Sequence, residues 1–85
     1  MSGQPELSPE ILDELHVLMR FNPDCSQQGI KVHHHSASAD TVAATGRLHA
    51  KGLITQPDGG YLTSLGHSAL EHARALLLIL QPRLH

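Results

Sequence analysis

Three consecutive histidines, His33, His34 and His35, are the residues of this sequence with the most evident capacity for chemistry. Neutral imidazole is a common zinc ligand, and a structural zinc ion needs four ligands in a tetrahedral set. On an extended segment adjacent side chains point to opposite faces, so at most His33 and His35 share an ion, with Asp40 or His49 as further ligands. No paired-cysteine, HxxxH or HExxH spacing completes the set. We therefore predict exposed histidines at a turn and no cofactor, with a histidine-based metal sensor as an alternative.

The single cysteine, Cys25, excludes an internal disulfide and a four-thiolate zinc site. It stands near a possible helix start, where a thiolate is favoured, but no basic residue is adjacent to it. We expect an inert thiol, with a redox sensor as the alternative. No Ser-His-Asp arrangement, phosphate-binding glycine loop or carboxylate pair is recognisable. The sequence therefore predicts a protein that is not an enzyme.

A second group of residues with possible chemistry is a set of cations in the middle of the chain. Lys31, Arg47 and Lys51 lie there with four histidines, and Asp40 is the one acid among them. The whole chain carries a net charge of −2, so any positive surface has to be local. Cationic side chains supply much of the affinity for duplex DNA, so the net charge argues against DNA binding and the charge distribution argues for it.

The first long element is a helix predicted over 8–21. Ser8 is suited to cap it, and Pro9 fits the first helical position. The Asn22-Pro23 pair is expected to end it, because the residue before a proline avoids helical geometry. Apolar residues at helical spacing form the predicted inward stripe, which consists of Ile11, Leu12, Leu15, Leu18 and Met19.

The middle of the chain is harder to interpret. Residues 24–28 fit one helical turn, and residues 30–33 alternate in polarity as a short strand does. A long helix is predicted over 39–51, capped by Ser38 or Asp40 and ended by glycine. Its expected inward residues are Val42, Thr45, Leu48 and the following Leu53, and its expected outward residues are Thr41, Ala44, Arg47 and Lys51.

A hairpin and a last helix complete the chain. The hairpin, a small wing, is predicted over 53–63, because Pro57-Asp58-Gly59-Gly60 has the composition of a tight turn. The last helix is predicted over 64–80, capped by Thr63 or Ser64. Its expected inward stripe is Leu65, Ala69, Leu70, Ala73, Leu76, Leu77 and Leu80. The end of this helix is apolar on all sides and so needs a second partner. We therefore predict a homodimer through Leu76, Leu77, Leu78, Ile79 and Leu80.

These elements predict a mainly α protein with a small antiparallel β-hairpin, a winged helix-turn-helix with an additional C-terminal helix. At 85 residues the chain is expected to form a disordered lead over 1–6 and one domain over 7–85. Its start lacks a basic segment followed by an apolar run, and the apolar stretch near its end is too short to span a bilayer. We therefore expect a cytoplasmic protein with no membrane partner.

The segment from Arg47 to Ile54, followed by Tyr61-Leu62-Thr63 and Gly66, resembles the recognition helix and wing of MarR-type and ArsR-type bacterial regulators. Over about Leu7 to Leu80 the chain also resembles a small proteobacterial family that shares its Gly29–His33 segment and is labelled DNA-binding or regulatory. The resemblance implies a winged-helix fold and DNA binding.

The leading hypothesis is accordingly a homodimeric DNA-binding protein that regulates transcription. Its expected contacts with double-stranded DNA are Lys31, Thr41, Thr45, Arg47 and Lys51, with the three histidines at phosphates. This chain departs from the regulators in two places. It has Thr41 and Thr45 where their recognition helix usually has branched or long apolar residues, and it has Asp58 at the wing tip, where they usually have arginine or lysine. The alternative is a winged-helix protein-interaction module without a nucleic-acid role. A positive stripe over helix 39–51 favours the first hypothesis, and a neutral one favours the second.

Overall fold

The computed structural model describes residues 6–22 and 29–82. Its elements in chain order are α1 (Pro9–Leu18), β1 (Ile30–Lys31), α2 (Ala39–Ala50), β2 (Ile54–Gln56), β3 (Gly59–Leu62) and α3 (Ser64–Leu80). The strands form one antiparallel sheet in the order β1-β3-β2. The predicted fold class is confirmed: the protein is mainly α, with a wing after α2 and an additional C-terminal helix.

Helix α1 begins where its sequence predicts and ends earlier. The Ser8 hydroxyl caps it by accepting a hydrogen bond from the Ile11 amide at 3.2 Å. The helix ends at Leu18 rather than residue 21, because the amides of Arg20 and Phe21 bond to carbonyls three residues back in a tighter turn. This turn places Phe21 in the core, at 3% exposure. The expected inward position of Leu12 is wrong, since this residue is 42% exposed.

Strand β1 is shorter than the strand predicted over 30–33. After Lys31 the chain turns inward, so that Val32 is buried and its amide donates to the Asp58 carbonyl at 2.7 Å. The amides of Ser36 and Ala37 then donate to the His33 carbonyl. This single turn lies directly before α2, at the position that the first helix occupies in a helix-turn-helix. The helical turn predicted at 24–28 lies outside the described residues.

Helix α2 and the wing match their predicted positions within one or two residues. The Ser38 hydroxyl caps α2, and Gly52 follows its end with a φ of 82°, the left-handed conformation that commonly ends helices. In the wing, Ile54 lies opposite Leu62 and Gln56 lies opposite Gly59. The predicted hairpin is therefore confirmed.

Helix α3 has its predicted bounds, but only part of its predicted inward stripe is buried. Leu70 is 1% exposed and enters the core, whose other members are Val17, Leu18, Phe21, Ala44, Leu48 and Ile54. Leu65 and the stripe residues beyond Ala73 are 39% to 66% exposed, which corrects the prediction. The reason is length: the 17 residues of α3 extend about 26 Å, whereas the 10 residues of α1 extend about 15 Å. The last turns of α3 therefore continue past the end of α1, where Met19 adjoins Leu77 and Leu78.

Candidate functional site

A buried carboxylate binds the two cations that the sequence assigns to DNA. Glu14 of α1 is 5% exposed. Arg47 Nε donates to Glu14 Oε2 at 2.8 Å, and Lys51 Nζ donates to Glu14 Oε1. Arg47 Nη2 also donates to the Glu10 carbonyl at 3.2 Å. Arg47 lies in the last turn of α2 and Lys51 directly follows the helix, one turn further on, so both reach the same carboxylate and are directed toward α1.

The cations control the protonation of Glu14. Burial by itself raises the pKa of this carboxyl, but hydrogen bonds from Lys51 and Arg47, with their positive charges, outweigh burial and hold the pKa below its ordinary value of 4.5. Sequence reasoning missed this residue. A usable signal was present, since Glu14 stands between Ile11 and Leu18 at the spacing of the inward stripe.

Replacing Glu14 by glutamine is expected to lower the free energy of unfolding at pH 7 by about 1–3 kcal/mol, because charge-assisted hydrogen bonds are lost. A carboxyl whose folded pKa is depressed stabilises the fold above its ordinary pKa, and that stabilisation is lost as pH falls through the folded pKa. The difference between wild type and Glu14→Gln should therefore shrink below pH about 4.5. Urea unfolding at pH 7 and at acidic pH measures it, with Glu71→Gln at an exposed carboxylate as control. An equal difference at both pH values would contradict the role of this ion pair.

The outward face of α2 is formed by small, uncharged residues. Ala39, Ala43 and Ala50 are exposed, and a Cβ added at Gly46 would meet no atom within 4 Å. Reading bases in the major groove depends largely on long hydrogen-bonding side chains such as arginine, lysine, asparagine and glutamine. The exposed Asp40 and His49 flank this uncharged strip. The outward face of α2 therefore carries no continuous positive stripe, which favours the interaction-module hypothesis.

Two α2 residues lie in the interior: Ala44, which was expected to point outward, and Thr45, which was expected to face inward and also to contact DNA. Thr45 is 0% exposed, and its hydroxyl donates to the Thr41 carbonyl at 2.8 Å. Ala44 is also 0% exposed. Thr45 and Leu48 face the core as predicted, and Ala44 faces it with them. Thr45 therefore has no surface to offer to DNA, which corrects the prediction that it contacts the groove.

The other predicted DNA contacts are distributed over different elements. Thr41 is half-buried, with its hydroxyl 2.9 Å from that of Ser38 at the start of α2. Lys31 lies on β1, where its side chain is 67% exposed and its Nζ is 3.7 Å from Asp58 Oδ2 at the wing turn. This long, exposed ion pair contributes little to stability, so Lys31 remains available to other anions.

The three histidines lie in the turn before α2, and all are exposed, as predicted. Within residues 6–22 and 29–82 no group of three His, Cys, Asp or Glu side chains is placed to hold a metal ion. Cys25 lies outside these ranges. In the same part of the chain, no helix has both the length and the apolarity needed to cross a membrane.

The end of α3 is an uncovered apolar surface. We call Leu76–Leu80 the α3 tail, whose residues are 55%, 39%, 66%, 79% and 66% exposed in chain order. A patch on the order of several hundred Å² in a folded chain commonly marks an interaction site. These are the five residues predicted to form a dimer.

An apolar groove adjoins α3 near its middle. This groove, the α1/α3 groove, has a volume of about 170 Å³. Ala69 contributes its α3 side, and the remaining lining residues are Ile11, Glu14, Leu15, Leu18, Leu48 and Leu53.

The fold and these surfaces define a small, mainly α protein with a wing after α2 and an exposed apolar end on its C-terminal helix, an arrangement consistent with a winged helix-turn-helix. The chain belongs to a family of unknown function, DUF5669, whose model matches residues 5–81. No curated protein and no solved structure matches it. The family description assigns no activity, so the resemblance to MarR-type and ArsR-type regulators stays a prediction.

Proposed function

We propose that this chain is a protein-interaction module that acts as a homodimer joined through the α3 tail. The observation that carries this proposal is the run of five consecutive apolar side chains, each at least 39% exposed, at the end of a regular helix. Apolar surface removed from water stabilises an assembly by roughly 25 cal/mol per Å². Removal of this apolar surface from water therefore favours association through the α3 tail.

A second copy of the chain is the partner that suits this surface. The sequence from Ala75 to Leu80 contains no charged residue, so two copies meet there without bringing like charges together. A two-fold dimer uses the same patch on both subunits, which requires a patch that is complementary to itself. An uncharged surface of leucine and isoleucine meets that requirement.

Sedimentation of the full chain over a range of concentrations tests the proposal. We expect a species of twice the 9.2 kDa chain mass. An interface with a micromolar Kd would be saturated at about 100 μM protein. Detection of only the single-chain mass up to that concentration would overturn the homodimer.

Duplex DNA binding, as a transcription regulator, is a second candidate. It is favoured by the wing beside α2 and by Lys31, whose exposed side chain lies on the strand before the histidine turn. The expected result is binding that weakens steeply between low and moderate salt and is reduced by Lys31→Gln. Fluorescence polarisation of a labelled duplex measures both, and no binding at low salt would end this candidate.

Arg47→Ala combined with Lys51→Ala is a less direct probe of DNA binding, because both residues also bind Glu14. A loss of DNA affinity in that variant needs a thermal melt beside it, since unfolding would have the same effect. Lys31→Gln avoids this difficulty. Both candidates are binding functions, without catalysis or a cofactor.

A further inference from the structure

We propose that two copies pair through antiparallel α3 helices, so that Leu76 of each copy enters the α1/α3 groove of the other. This inference rests on the proposed homodimer and specifies its geometry. An interface of ordinary size needs about 800 Å² from each partner, which exceeds what the α3 tail alone presents. The partner must therefore contact more of α3 than its last five residues.

One face of α3 extends the apolar surface toward the helix start. Leu65, Ala69, Leu76 and Leu80 are separated by four, seven and four residues, a spacing that places them along one side of a helix. Ala69 lines the α1/α3 groove. The three leucines are 56%, 55% and 66% exposed. The groove and the exposed leucines therefore lie along one side of α3, which we call the α3 stripe. The exposed His72 lies on the same side, between Ala69 and Leu76, with its ring Nδ1 2.7 Å from the Ser68 carbonyl oxygen.

The α3 stripe is complementary to itself in one antiparallel register. In a symmetric antiparallel pair every contact has the same midpoint along the sequence. Leu65 with Leu80 and Ala69 with Leu76 share a midpoint, between residues 72 and 73. This single register joins two exposed leucines and places a large side chain opposite a small one.

The α1/α3 groove has room for the incoming side chain. Its volume of about 170 Å³ compares with the roughly 150 Å³ apolar cavity that admits benzene, so one leucine side chain fits. The Leu76 of the same chain cannot fill it, because that residue lies about 10 Å beyond Ala69 on the same helix. A second copy supplies the same leucine from the opposite direction.

Charge presents no obstacle to this arrangement. The carboxylate of the groove, Glu14, is already bonded to Arg47 and Lys51. An entering leucine therefore meets no unpaired charge there. The α3 stripe itself contains no charged residue.

A charge exchange between two exposed positions tests the register. Leu65→Lys alone and Leu80→Glu alone are each expected to weaken self-association at least tenfold. An equimolar mixture should form a heterodimer, because one contact then pairs Lys with Glu and the other pairs Leu with Leu. Native mass spectrometry distinguishes the species. Dimers of Leu65→Lys as tight as wild type, or a mixture that stays monomeric, would overturn the antiparallel register.

A matched pair of truncations tests the insertion of Leu76. Leu78 lies two residues further along, on the other side of α3, and is 66% exposed against 55% for Leu76. Leu76→Ala is expected to raise Kd about tenfold and Leu78→Ala about twofold or less, with circular dichroism confirming that both fold. A larger effect at Leu78 would overturn the insertion while the proposed homodimer stands. A monomeric wild type would overturn both.

Discussion

Replacing Leu76 and Leu80 together by aspartate is expected to convert the homodimer into a monomer, with Kd raised at least about 100-fold, or about 2.8 kcal/mol. The physical reason is that four carboxylates, two from each copy, would enter an apolar interface without partners, and an unpaired buried charge is costly. Sedimentation of wild type and variant at equal concentrations measures the change. The fold should tolerate both substitutions, since these side chains are 55% and 66% exposed within one chain.

The chain offers a closely matched control for this variant. Ala39 and Ala43 on the outward face of α2 are also four residues apart and exposed. Changing both to aspartate adds the same charge at the same spacing, away from α3. We expect this control to dimerise like wild type. Equal dimerisation of the Leu76/Leu80 variant and the control would exclude the α3 tail from the interface.

Gly66→Ala is expected to destabilise the fold by about 3 kcal/mol, the upper part of the usual range for overpacking. An added Cβ would overlap the carbonyl oxygen of Leu53, a backbone atom. That carbonyl accepts the Thr63 amide at 3.0 Å, so relieving the overlap would disturb the start of α3 as well. A domain of this size has a free energy of unfolding of only about 4–13 kcal/mol. Thermal unfolding should show Tm lowered by more than about 12 °C.

Gly46→Ala, the same chemical change at another position, is expected to raise the free energy of unfolding instead of lowering it. A Cβ at Gly46 meets nothing within 4 Å, and the residue lies inside α2. Alanine is favoured over glycine in a helix, so this variant should gain about 0.5–1 kcal/mol. Finding the two variants equally stable would show that α3 does not approach Leu53 as closely as described.

The elements that local sequence determines are those that could be predicted. The caps Ser38 and Thr63 and the closing Gly52 lie within a few residues of the backbone groups they serve, so both long helices and the wing fall within about two residues of their expected bounds. The need of the end of α3 for a second partner was also expected, because a helix that is apolar all round can be recognised from composition alone.

The inward position of Ala44 and the pairing of Glu14 with Arg47 and Lys51 could not be predicted in the same way. Glu14 is 33 residues from Arg47 and 37 residues from Lys51. No local pattern reports such a distant pairing, so the two cations were assigned to DNA and Thr45 was placed beside them. The prediction that the α3 leucines are buried failed for a related reason. An apolar stripe shows which side of a helix is suited to packing, but not how far the neighbouring helix extends.

The short edge strands of the sheet also limit how far copies of the chain can assemble. Its longest strand, the four-residue β3, lies in the middle, and the edges are the two residues of β1 and the three of β2. Edges this short present few free backbone groups with which an added strand could pair. Lys31 on β1 and Pro57 directly after β2 further oppose such pairing. We therefore expect concentrated solutions of this protein to grow no cross-β fibres, and its association to stop at a closed assembly of finite size.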